Sequence, residues 1–247
     1  MVLPVALERE PLVEAIFEVR FAGSPQLADL LPGLLFAKFE PKPKSHRQPA
    51  ADIPQPIRAS DPKLTFAAVT RLELEQFNIM IGDRNVIVGC KLPYPKWAAF
   101  KDQIRHLTRL MAGLGVEGDV ERFSIKYVNL ISAPNFAEQI AKVDIALRIG
   151  ALEVLDNHVN LQVHHHEDDI LHILTVISGA SANLPGGETT QGIVVDVDSI
   201  RHITPLTYGE FVDRLELELE TLRQANKAKF FDCLKQETIE EMGPIYE

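Results

Sequence analysis

Leu12-Val13-Glu14-Ala15-Ile16-Phe17-Glu18-Val19-Arg20-Phe21 sets the fold class. From Glu14 onward it alternates. Ala15, Phe17, Val19 and Phe21 fall on one face; Glu14, Glu18 and Arg20 fall on the other. A period of two marks a strand with one covered face. Downstream, residues 26–39 read as a short helix broken at Pro32-Gly33. Residues 40–63 hold Pro41, Pro43, Pro49, Pro54, Pro56 and Pro62 and read as a long extended loop. Residues 64–69 and 71–81 read as strands, Gly82-Asp83-Arg84-Asn85 as a polar turn, and 86–92 as the returning strand. A helix follows. Pro95 suits its first turn, Trp97, Phe100, Ile104, Leu107 and Met111 recur every three or four residues, and Gly113 is the expected stop.

The rest of the chain repeats this order. Residues 123–132 and 143–149 read as strands. Residues 159–165 and 170–178 read as a hairpin turning at Glu167-Asp168. A loop over 179–192 leads to a strand over 193–203. Thr207-Tyr208-Gly209-Glu210 has capping-box spacing, in which each side chain satisfies a backbone donor at a helix start. Phe211, Leu215, Leu219, Leu222 and Phe230 stripe the helix that follows. A last turn near 238–242 stops at Gly243-Pro244. The reading is α+β: two strand-rich, mostly antiparallel halves, residues 1–115 and 116–247, each ending in an amphipathic helix, with one compact domain formed by both halves as the alternative. The repeated order suggests a pseudo-duplication, although the residues of the halves match poorly.

A net charge of −10 over 247 residues argues against a surface that grips nucleic acid throughout, since phosphate binding concentrates Lys and Arg. Cys90 and Cys233 form no CxxC pair, which fits a reducing compartment. The opening MVLPVALEREPL holds no long apolar run, and no stretch approaches the ~18 apolar residues of a membrane span. The cytoplasm is the expected location.

Val163-His164-His165-His166-Glu167-Asp168-Asp169, with His172, is the densest polar cluster. Imidazoles and carboxylates are the usual ligands of zinc and related metals. In a hairpin, His164 and His166 share a face, and His172 falls near the level of Val163 or His164. Asp196 and Asp198 alternate with Val195, Val197 and Ser199, with His202 on their own side. One expectation is therefore a divalent metal on His164, His166, His172, Asp196 and Asp198; no organic cofactor is expected. The plainer reading, a solvated hairpin tip and the wet side of a half-covered sheet, weighs more. Lys101, Arg105, Arg109 and Lys126, near Arg122, Phe123 and Tyr127, form the set a nucleic-acid groove would use. Gly179-Ala180-Ser181-Ala182-Asn183 lacks the last glycine of a nucleophile elbow, and Leu184-Pro185-Gly186-Gly187 cannot open the helix an elbow needs.

Three segments are distinctive together. They are Glu10-Pro11-Leu12-Val13-Glu14-Ala15-Ile16-Phe17-Glu18-Val19-Arg20-Phe21, Arg122-Phe123-Ser124-Ile125-Lys126-Tyr127-Val128-Asn129-Leu130-Ile131, and Asn226-Lys227-Ala228-Lys229-Phe230-Phe231 with Glu241-Met242-Gly243-Pro244. In this order they resemble the TIGR04255 family of sporadically distributed bacterial proteins, over nearly the whole chain from Pro11. Glu10 departs from the family pattern, where a second proline is common. The family has no assigned activity, so the resemblance implies no catalytic residue. Its patchy occurrence implies an accessory role in mobile-element defence or a toxin–antitoxin-like pair. The leading expectation is a non-catalytic interaction module with a protein partner or a second copy. A metal-dependent hydrolase or nuclease on the histidine cluster comes next, then a nucleic-acid-binding accessory subunit.

Overall fold

A computed structural model describes residues 2–23, 27–153, 157–183, 187 and 189–246. The first half runs β1 (Leu12–Phe21), α1 (Leu27–Lys38), β2 (Lys44–Arg47), a 3-10 turn (Pro49–Asp52), α2 (Gln55–Ser60), β3 (Ala68–Glu73), β4 (Phe77–Gly82), β5 (Asn85–Cys90) and α3 (Lys96–Gly113). The second runs β6 (Asp119–Ser132), α4 (Phe136–Ile140), β7 (Asn160–Glu167), β8 (Ile170–Asn183), β9 (Thr189–Thr207), α5 (Tyr208–Asp232) and α6 (Gln236–Glu241). Short two-residue strands add to these: Ala6–Leu7 pairs with Pro244–Ile245, and Arg148–Ile149 with Leu152–Glu153. The fold is α+β with mostly antiparallel sheet.

The repeat extends from element order to pairing order. In the first half the strands lie β1-β5-β4-β3-β2; in the second, β6-β9-β8-β7. Each half thus opens with a strand that pairs with the last strand of a later meander, and each then closes with a long helix. The compact units, however, are not the halves. One unit holds Ile16–Ile125 with Arg201–Thr221; the other holds Met1–Ala15, Lys126–Ile200 and Leu222–Glu247. They are called the first and second unit below. Strands β1, β6 and β9 and helix α5 pass from one into the other, so a boundary at 115/116 isolates neither.

Several local expectations change. Pro32 does not break α1: Leu27, Leu31 and Leu35 keep one buried stripe through it. A proline removes one N–H there, and burial of the leucine stripe outweighs the loss. Residues 40–63 are not an extended loop. Pro49 opens the 3-10 turn, and Pro56 lies in the first turn of α2. There the missing N–H costs little and the fixed φ helps. Buried Arg58 then ties the segment down, donating to both oxygens of Asp83 at 2.8 and 2.7 Å and to the carbonyls of Ala50 and Ile53. Helix α3 ends at Gly113 as expected, although Gly115 rather than Gly113 takes the left-handed position that closes it. It ends in a Schellman turn in which Val116 N–H donates to Met111 O and Gly115 N–H to Ala112 O, with Gly115 at φ +75°. Residues 143–149 hold only an isolated bridge from Val143 to Leu234 and the short strand Arg148–Ile149. Much of the expected 179–192 loop is strand, and 184–186 and 188 lie outside the described residues. Thr207 and Glu210 do form the reciprocal capping box.

Within each unit the helices share one side of the sheet. In the second unit Ile140 of α4, Phe230 and Phe231 of α5 and Ile239 of α6 pack with Val176, Ile193, Val195 and Val197 in one core. In the first, Phe100 of α3 stacks on Phe77 of β4, and Phe211 of α5 meets Phe123 of β6. Side chains at alternate positions point to the opposite, outer face. There Met80 and Ile87 of the first unit, and Val128, Leu171, Ile173, Ile177 and Val194 of the second, remain only half-buried.

Candidate functional site

The predicted metal ligands do not come together. In the β7–β8 hairpin His165, not His164 or His166, lies opposite His172. His164 and His166 therefore point to the outer face, while His172 points to the inner one and is buried. Asp196 and Asp198 share the outer side of β9, with Val195, Val197 and Ser199 buried beneath. No group of three or more His, Cys, Asp or Glu among the described residues is placed to hold a metal ion. The hairpin turns at Asp168-Asp169 rather than Glu167-Asp168, which sets His172 level with His165 rather than with Val163 or His164; a shift of one residue moves a side chain to the other face.

Most of the nucleic-acid set is paired with acids. Lys101 pairs with Glu220 at 2.7 Å, and Arg105 with Glu216 at 3.3 Å and Asp102 at 3.5 Å. Lys126 pairs with Asp196 at 2.8 Å. Lys101 and Arg105 join α3 to α5, and Arg109 stands exposed on α3.

His172 belongs instead to a buried hydrogen-bond cluster under α5. Ser199 Oγ lies 2.9 Å from His172 Nδ1. Asn226 Nδ2 donates to Ser199 Oγ at 2.9 Å and to Val197 O at 2.8 Å. Lys229 Nζ reaches Glu167 Oε2 at 2.5 Å, and that oxygen lies 4.0 Å from His172 Nε2. Burial, then the charge of Lys229, holds the His172 pKa down to about 4 despite Glu167, so the ring is neutral at pH 7. A serine beside a neutral histidine has the parts of a nucleophile and its base. Yet Ser199 is 0% exposed and its hydroxyl is already engaged by Asn226. Substrate has no approach to it. The cluster fastens α5 to β7, β8 and β9. The two cysteines are free, and burial pushes the thiol of each up, so neither is a ready thiolate.

The outer faces carry the remaining chemistry. In the first unit the registers place His46, Arg71, Met80, Ile87 and Glu18 in one row, and Lys44, Glu73, Asn78, Gly89 and Ile16 in the next. Glu73 accepts from His46 at 2.9 Å and from Lys91 at 3.0 Å. Glu18 binds Arg20 at 2.8 Å and lies 3.6 Å from Arg122. Arg20 also lies over the Phe66 ring at 4.0 Å. Arg71 Nε is buried with no hydrogen-bond partner, and no ion pair holds its guanidinium among the described residues. This face is cationic. Beside it lies a cavity of about 560 Å³ lined by Lys42, Lys44, Lys91, Glu73 and Glu75; Lys42 pairs with Glu40 and Lys91 with Glu73.

In the second unit the outer face has the opposite sign. Glu14, Asp196 and Asp198 surround Lys126. Burial disfavours the lysine's charge, but the Asp196 hydrogen bond and the three carboxylates outweigh it and raise its pKa. Burial raises the Asp196 pKa, which Lys126 only partly offsets. Asp196 Oδ1 is buried without a hydrogen-bond partner. Around this group lie half-buried Val128, Ile173, Thr175 and Val194, and at the edge strand exposed His164 and His166. Alternation in β1 and β9 announced these outer positions; nothing in the sequence announced that the two faces differ in sign. No family model matches the chain, and no curated protein matches it. No helix among the described residues is long and apolar enough to cross a membrane.

Proposed function

We propose that this chain is a non-catalytic interaction module that docks a protein through the outer faces of its sheet. The observation that carries this reading is the one-sided covering of the strands. In each unit the helices pack on one side, and the other side presents half-buried aliphatic side chains mixed with charge. That mixture suits a protein interface, where apolar contacts supply energy and charges supply specificity. The serine–histidine pair is closed off, and His172 lies on the face opposite the other four predicted metal ligands, so the chemistry present supports binding rather than turnover. The accessory role in bacterial defence or a toxin–antitoxin-like pair, implied by the TIGR04255 resemblance, and a cytoplasmic location belong to the same proposal.

The test is substitution of the outer face. Ile173→Lys and Met80→Lys, each with an unchanged melting curve, should abolish complexes trapped by cross-linking in the native host. Complexes that persist in both variants would end the reading.

A further inference from the structure

The outer faces of the two units are oppositely charged, and on that basis, resting on the docking role above, we propose that the occupant is a second copy of this chain. The cationic outer face of the first unit in one copy takes the acidic outer face of the second unit in another.

The cationic side consists of Arg20, Arg71 and Arg122, with Lys44 and Lys91 at its margin, against Glu18 and Glu73. Both glutamates already have cationic partners, whereas Arg71 has none among the described residues. A guanidinium is a planar fork of donors suited to a carboxylate. The acidic side consists of Glu14, Asp196 and Asp198 around the ammonium of Lys126. Glu14 is exposed, and each face offers aliphatic side chains beside its charges, Met80 and Ile87 on one and Val128, Ile173 and Val194 on the other. A face of this kind has a self-complementary partner in every molecule of the same protein. The net charge of −10 gives copies a general repulsion, so association through this surface depends on local matching rather than on net attraction.

The experiment is a charge swap read as mass in solution, by light scattering or sedimentation. At about 0.1 mM protein and about 20 mM salt, where screening is weak, the wild-type chain should run at no less than twice its 27.6 kDa. Arg71→Glu makes the first face acidic. Glu14→Lys with Asp196→Asn makes the second basic, because the near-isosteric Asn frees Lys126 from its partner. Each variant alone should associate at least about tenfold more weakly. Mixed one to one, they should recover the wild-type mass, since each now offers the sign the other lacks. Circular dichroism melts matching wild type show that each variant is folded. If Asp196→Asn fails to fold, Glu14→Lys alone serves as the second variant.

A wild-type monomer under these conditions overturns the proposal, as does self-association that neither variant weakens or that mixing does not restore. Salt-dependent binding of a short single-stranded DNA by a monomer through Arg71 also overturns it, in favour of a nucleic-acid partner. The docking role itself fails only when the Ile173→Lys and Met80→Lys variants leave the cross-linked complexes intact, so the two failures are distinguishable.

Discussion

The inner faces of β4 and β5 carry Phe77, Ile79, Ile81, Val86 and Val88. Their counterparts in pairing order, β8 and β9, carry His172, Ser178 and Ser199 among Ile170, Val176, Ile193, Val195 and Val197. The same strand order therefore supports two kinds of contact. Hydrocarbon packing is non-directional and tolerates small shifts of the covering helix. A hydrogen-bonded cluster admits one position of α5, because Asn226 must reach both Val197 O and Ser199 Oγ. In the first half the directional anchor lies outside the sheet, in the Arg58–Asp83 pair that holds the segment before β3.

The largest effect should come from that anchor. Arg58→Met leaves the Asp83 carboxylate, 12% exposed, without its bidentate partner and should cost about 3–5 kcal/mol in chemical denaturation. A loss below about 1 kcal/mol would show that water replaces the guanidinium freely and would remove the contrast. Next is Asn226→Leu, expected to cost about 2–3 kcal/mol because buried Val197 O and Ser199 Oγ lose their donor. The triple change Asn226→Leu, Ser199→Val, His172→Leu should recover much of that loss, since an apolar replacement of all partners can be nearly neutral. A triple variant worse than the single would mean that packing volume, not hydrogen bonding, distinguishes the second half.

Acid should then act on the second half through His172. Its folded pKa of about 4 lies below the ordinary 6.5, so the unfolded chain takes up the proton first. Stability is complete above about pH 6.5 and falls as pH drops toward 4, by about 2–3 kcal/mol. Burial chiefly sets this value, and Lys229, Glu167 and His165 face the ring and adjust it. Asp196 works with the opposite sign: its raised pKa contributes at low pH and is lost as pH rises through its folded value. The slope of stability between pH 6.5 and 4 should therefore be compared between wild type and His172→Leu. Equal slopes would remove His172 from the account. The smallest effect belongs to the first half's helix stop. Gly115→Ala, at φ +75° with open space around its Cβ, should cost about 1 kcal/mol, visible as a small drop in Tm.

The elements with a regular period were legible in the sequence. Alternation in β1 and β9, the stripe of α3 and the Thr207–Glu210 box all lie where their residues place them. The misread parts depend on partners distant in sequence. Residues 48–60 look unstructured until Asp83 is placed beside Arg58. The histidine cluster looked like a ligand set because two residues of turn, Asp168 and Asp169, rather than a looser tip, decide which histidine meets His172. The cationic set lost its meaning when Glu216, Glu220 and Asp196 arrived to neutralise it. Opposite charge on the two outer faces was least legible, since it needs the registers of five strands at once.

Because β1, β6 and β9 each contribute residues to both units, no single cut of the chain separates one unit from the other. A fragment ending near Gly115 would carry the first unit without its share of β6, β9 and α5, and a fragment starting there would lack the Leu12–Ala15 end of β1. Neither piece should fold by itself, yet the two expressed together should reassemble. The loop between α3 and β6 is thus a natural point for a split reporter rather than a domain boundary.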